Sequence, residues 1–106
     1  LPILLYSFLQ TGLSEELLFR GFLNKRLSSR FGPALGNATQ AFLFGLLHGI
    51  LFSSRTSFFG AVCIVLLIGL DGWIMGYINE NLADGSILPS WTIHGISNVI
   101  TAVAAL

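Results

Sequence analysis

Charge is scarce in this sequence. Five Lys/Arg and five Asp/Glu make up 9% of its 106 residues and cancel to a net charge of zero. Soluble domains draw about a quarter of their residues from these four types. A chain this short exposes much of its surface, and so few charges cannot solvate it in water. Balanced charge also offers no basic face, so nucleic acid is not an expected partner. Cysteine is limited to Cys63, which excludes an internal disulfide. Its neighbours Ala61, Val62, Ile64 and Val65 give it the apolar setting of an inert thiol. No charged stretch or small-residue cleavage site accompanies the apolar Leu1 to Leu5, so a signal peptide is not expected. A start at Leu1 reads as the edge of an excised domain, with further helices expected before it. No segment alternates as a barrel strand does, which excludes a transmembrane β-barrel.

What is present is hydrophobic: 54% of residues, with a mean hydropathy of +0.81. Four apolar segments, at about 2–29, 33–52, 58–78 and 88–106, are separated by short polar breaks. Pro33 suits the first turn of a helix and opens the second segment. A membrane-spanning helix needs about 20 mainly apolar residues. The second, third and fourth segments meet that length, and the first does if its charged half is buried or reaches the interface. The expected fold is all-α: a polytopic transmembrane bundle of about four helices, one domain over 1–106, with membrane lipid as solvent. Gly45 and Gly49, like Gly72 and Gly76, are four apart and offer small faces for helix contact. Lys25, Arg26 and Arg30 lie between the first two segments, so the positive-inside rule leans loop 24–32 toward the cytoplasm. Phe42, Phe58 and Phe59 read as lipid-facing or packing residues, and Trp73, Tyr77 and Trp91 as interfacial anchors.

An ionisable residue inside such a segment is a functional hypothesis by default, because lipid penalises it. The first segment has Glu15, Glu16 and Arg20, the second His48, the third Asp71, and the fourth His94 with Asn98. Glu16 and Arg20 are four apart with the acid first, the better order for a helical ion pair. Glu15 points about 100° away and lacks that partner. His94 and Asn98 are also four apart and can face one cavity, while Phe44 lies one turn before His48 and can orient its ring. Brought together, a carboxylate, two imidazoles and an amide suffice for hydrolysis: a base for water and donors for an oxyanion. The plain alternatives are a structural ion pair for Glu16 and Arg20 and interhelical glue for Asn98. Asp71 either lines the cavity or pairs with Arg20 or Arg55.

Three short patterns then coincide. Glu15-Glu16-Leu17-Leu18-Phe19-Arg20, Phe44-Gly45-Leu46-Leu47-His48 and His94-Gly95-Ile96-Ser97-Asn98 occur in order on successive hydrophobic segments. Together they resemble the Glu-Glu-x-x-x-Arg, Phe-x-x-x-His and His-x-x-x-Asn motifs of the CAAX prenyl protease and bacteriocin-processing (CPBP, or Abi) family. The resemblance covers Leu13 to Asn98. It implies an intramembrane endopeptidase in a multi-pass membrane protein, here expected in a bacterial plasma membrane, with a membrane-associated or prenylated CAAX-type peptide as substrate. It further implies that Glu15 activates water with His48, that Glu16 and Arg20 support the site, and that His94 and Asn98 hold the oxyanion. Such enzymes have been described both as metalloproteases and as glutamate proteases. If a zinc ion is used, Glu15, His48 and His94 are its expected ligands. No His-Glu-x-x-His pre-arranges two ligands on one helix, which favours a metal-free site. Two readings of other classes compete: a non-catalytic immunity or scaffold protein of the same fold, and a fragment of a proton- or ion-coupled transporter. Intact motifs weigh against the first. The lack of internal symmetry weighs against the second.

Overall fold

The computed structural model describes residues 2–105, and every regular element among them is helical. Helix α1 (residues 2–31) runs unbroken to Gly32, whose φ of 95° is the left-handed turn that glycine adopts at no steric cost. Pro33 then starts α2 (Pro33–Leu51), its missing N–H falling where a helix has no partner to give. A short turn at Ser53–Arg55 leads to α3 (Phe58–Leu82), which Ser57 caps by accepting the Gly60 N–H at 3.1 Å. Helix α4 (Leu88–Ala104) again carries proline in its first turn.

The segment boundaries expected from hydropathy need two corrections. The third helix does not stop at 78 but continues through a wide π-helical turn, Ile78–Leu82. Asn79 reads as a loop residue by composition, yet it is fully buried. Its amide donates to Ser90 Oγ at 2.7 Å and accepts the Ser90 N–H at 3.1 Å, joining α3 to α4. Among the described residues two helices, α2 and α3, are long and apolar enough to cross a membrane; α4, expected to qualify, spans 17 residues. Polar Ser90, Thr92, His94, Ser97 and Asn98 interrupt it.

Helices α2 and α3 pack closely, α2 also packs on the second half of α1, and α4 lies along the first half of α1. The result is a slab measuring 41 × 35 × 17 Å. Its interior is mostly polar. Among the described residues the buried hydrophobic side chains are Phe19, Ala41, Phe44 and Met75. Ser7, Glu16, Arg20, Asn24, Asn37, Gln40, Asn79, Ser90 and His94 are buried as well, while leucines and phenylalanines cover the exterior. Backbone groups hold several of these amides: Gln40 Nε2 donates to Gly72 O at 3.0 Å, and Asn37 Nδ2 to Trp73 O at 3.1 Å.

Gly45 lets α2 and α3 approach. A Cβ there would run into the Val65 carbonyl and lie 2.8 Å from the Gly69 nitrogen, both backbone atoms that cannot swing away. Gly45→Val is therefore expected to cost about 1–3 kcal/mol of stability, the usual penalty of overpacking. Thermal unfolding in detergent, read by circular dichroism, measures this; an unchanged midpoint would mean that the two helices do not meet at Gly45.

Candidate active site

The two glutamates sit on an unusual stretch of helix. Residues Ser14–Glu16 form one α-turn between π-helical stretches at Tyr6–Leu13 and Leu17–Leu23. Such wide turns shift the faces on which side chains emerge and recur at functional sites. Glu16 faces the interior with no exposed surface, whereas the Glu15 side chain remains 31% exposed.

Glu16 serves two partners. Its Oε1 lies 3.1 Å from Arg20 Nε, the i,i+4 ion pair expected from spacing. That contact is Coulombic rather than a well-aimed hydrogen bond, since neither atom meets hydrogen-bond geometry. Its other oxygen, Oε2, accepts from His94 Nδ1 at 2.6 Å. Nothing in the spacing of residues hints at this second contact, which only the approach of α4 to α1 creates. Arg20 is itself fully buried, its guanidinium stacked 4.1 Å from the centre of the Phe44 ring and its Nη2 3.5 Å from Met75 Sδ. Phe44 is thus the floor of the site. Its ring also meets Phe19 at 5.0 Å, His48 at 4.6 Å and His94 at 5.8 Å, all edge-on.

Both imidazoles point Nε2 at Glu15. The Glu15 Oε1 atom lies 3.7 Å from His48 Nε2 and 3.5 Å from His94 Nε2. His48 Nδ1 is 2.8 Å from the Phe44 carbonyl oxygen. A carbonyl can only accept, so His48 Nδ1 carries the proton, and in the neutral ring Nε2 presents a lone pair. Glu15 Oε1, likewise, accepts no hydrogen bond from any described residue. A carboxylate oxygen and an imidazole nitrogen, both free to accept, therefore share one small region.

Asn98 stands slightly apart. Its Nδ2 donates to Thr11 Oγ1 at 2.8 Å and to Ser7 O at 3.3 Å, fastening α4 to the first π-helical stretch of α1. Thr11 is the polar contact that sequence reading passed over. Its spacing of four before Glu15 was the available signal. Asp71 makes neither of the expected pairs. Its charge is felt at Arg20, but among the described residues it has no ion pair or hydrogen bond, and it is exposed. Trp91, expected at an interface, instead donates from Nε1 to Phe8 O at 2.6 Å between α4 and α1.

Glu15, His48 and His94 converge, but no set of three His, Cys, Asp or Glu among the described residues is arranged to hold a metal ion. No step that follows passes through a metal.

No curated protein and no solved structure matches the chain. Residues 1–100 match a protein family described as type II CAAX prenyl endopeptidase Rce1-like. That match spans nearly the whole sequence and takes in the two glutamates, Arg20, both histidines and Asn98. It agrees with the kinship that the three short patterns suggest, and it points to a membrane-embedded protease of CAAX type. The chain belongs to the Rce1-like family of type II CAAX prenyl endopeptidases.

Proposed function

We propose that this chain carries the catalytic core of an intramembrane endopeptidase in which Glu15 activates water against a peptide bond of a prenylated, CAAX-type substrate. The observation that carries the reading is the meeting of Glu15 Oε1 and His48 Nε2, 3.7 Å apart and both without a donated hydrogen. A water molecule donating one hydrogen to each keeps an oxygen lone pair free for the scissile carbonyl. As the new C–O bond forms, Glu15 takes the proton and the carbonyl oxygen gains negative charge.

His94 meets that charge. Glu16 accepts from its Nδ1 and fixes the ring, as a carboxylate orients a catalytic histidine elsewhere. To donate to the oxyanion, His94 Nε2 must carry a hydrogen while Nδ1 stays on Glu16. Asn98 supplies a second donor once its amide exchanges the Thr11 hydroxyl for the oxyanion. Collapse of the tetrahedral intermediate breaks the C–N bond, and the proton held by Glu15 passes to the leaving amine. Arg20 does not touch the substrate; it balances Glu16 and braces Phe44. Residues 24–31, read as a loop from composition, form the last turns of α1, and their three basic residues support a cytoplasmic position for that helix end in a bacterial plasma membrane.

The test is hydrolysis of a prenylated CAAX-ended peptide in liposomes, beside its unprenylated counterpart, with and without a chelator. We expect cleavage of the prenylated peptide at an unchanged rate in chelator. Loss of activity on chelation, with recovery on adding zinc, would replace the glutamate mechanism by a metal-dependent one. No cleavage of either peptide by the protein in its native membrane would return weight to a non-catalytic role.

A further inference from the structure

Asp71 is the fourteenth residue of the 25-residue helix α3, the most apolar helix of the chain. Only 11% of its apolar window is buried. Around Asp71 stand Leu67 and Ile74, at helical spacing, and the adjacent Leu70, exposed by 68%, 42% and 56%. Where this helix crosses a bilayer, a carboxylate at mid-depth cannot face lipid without a heavy penalty. Arg20 feels its charge but is paired with Glu16, and among the described residues nothing makes an ion pair or hydrogen bond with Asp71 itself.

We infer that this face of α3 docks a partner membrane-spanning helix that carries an Arg or Lys at mid-depth, opposite Asp71. Charge complementarity identifies the partner. A second copy of this chain does not supply the cation: Arg20 is fully buried, Lys25 is held by Glu80 at 2.7 Å, and Arg26, Arg30 and Arg55 lie at helix ends. A symmetric contact through this face would set Asp71 against Asp71, which repels. Neighbours of Asp71 also reach the site. Ile68, three residues before it, packs on the Phe19–Phe44–Met75 cluster, and Met75, four residues after, touches Arg20. A helix seated here therefore bears on the rear wall of the active site. The inference needs α3 to cross the bilayer but does not depend on proteolytic activity.

A photo-cross-linking amino acid at Leu67 or Ile74, in native membranes, tests it. We expect a cross-linked peptide from another apolar helix with Arg or Lys near its centre. Asp71→Asn keeps the side-chain shape and should lower the yield about fivefold, the change that roughly 1 kcal/mol produces. Exchanging the charges, Asp71→Arg with an acidic residue at the partner's basic position, should restore it. Cross-links to lipid alone, to a second copy, or to a helix without a basic residue would overturn the inference. So would a yield that Asp71→Asn leaves unchanged.

Discussion

Glu15→Gln is expected to abolish peptide hydrolysis, lowering kcat by about 10²–10⁴-fold, while leaving the folded protein as stable as before. The magnitude is that of losing a positioned general base. The separation of the two effects follows from geometry. Glu15 Oε1 accepts no hydrogen bond from a described residue, and the side chain is partly exposed, so an amide of the same shape leaves no buried partner unpaired. The substituted side chain cannot take a proton from water, because an amide is not basic. Steady-state hydrolysis in liposomes and a thermal melt on the same preparation measure both quantities. A variant that keeps a tenth or more of wild-type kcat would remove Glu15 from the role of base. One that loses activity and stability together would make it a structural residue.

Glu16 should behave in the opposite way. Glu16→Ala leaves Arg20 charged, fully buried and without its counter-ion, a break that costs about 3–5 kcal/mol in buried pairs. It also frees the His94 ring, since the 2.6 Å contact to Nδ1 disappears. Loss of activity alone would be ambiguous here, because an unfolded protein is inactive too. The double variant Glu16→Leu/Arg20→Met resolves this. Removing both charges leaves neither unpaired, and such replacements are often neutral or stabilising. We expect the double variant to melt well above Glu16→Ala yet remain inactive, its His94 no longer held. Equal melting temperatures for the two would show that the pair is not the source of the destabilisation. Activity in the double variant would show that His94 needs no carboxylate behind it.

Much of the site was legible in the sequence because lipid-compatible segments carry few ionisable residues. Glu15, Glu16, Arg20, His48 and His94 stood out against an apolar background, and helical spacing paired Glu16 with Arg20 correctly. The edge-on contact of Phe44 with His48 follows from the same one-turn spacing. Contacts between helices were not legible. Periodicity fixes which residues share a face, but not how two helices are rotated or offset against one another. The Glu16–His94 contact and the Asn98–Thr11 contact both belong to this class. Local polarity misled as well: Asn79 looks like a loop residue until Ser90, on another helix, satisfies its amide. The π-helical stretches on either side of Glu15 and Glu16 left no mark that composition or hydropathy reveals.

The polar interior has a consequence for temperature. Curvature of a stability curve comes from the heat capacity of unfolding, which apolar exposure raises and polar exposure lowers. Among the buried described residues, separating these helices would uncover nine polar or charged side chains against four apolar ones. The two contributions then oppose each other, and the heat-capacity change is small for a chain of this length. A flat curve results, with no steep summit near ambient temperature and little tendency to come apart in the cold. Warmth and chill should weaken this assembly gently, where a domain of equal size built around an oily centre would feel both.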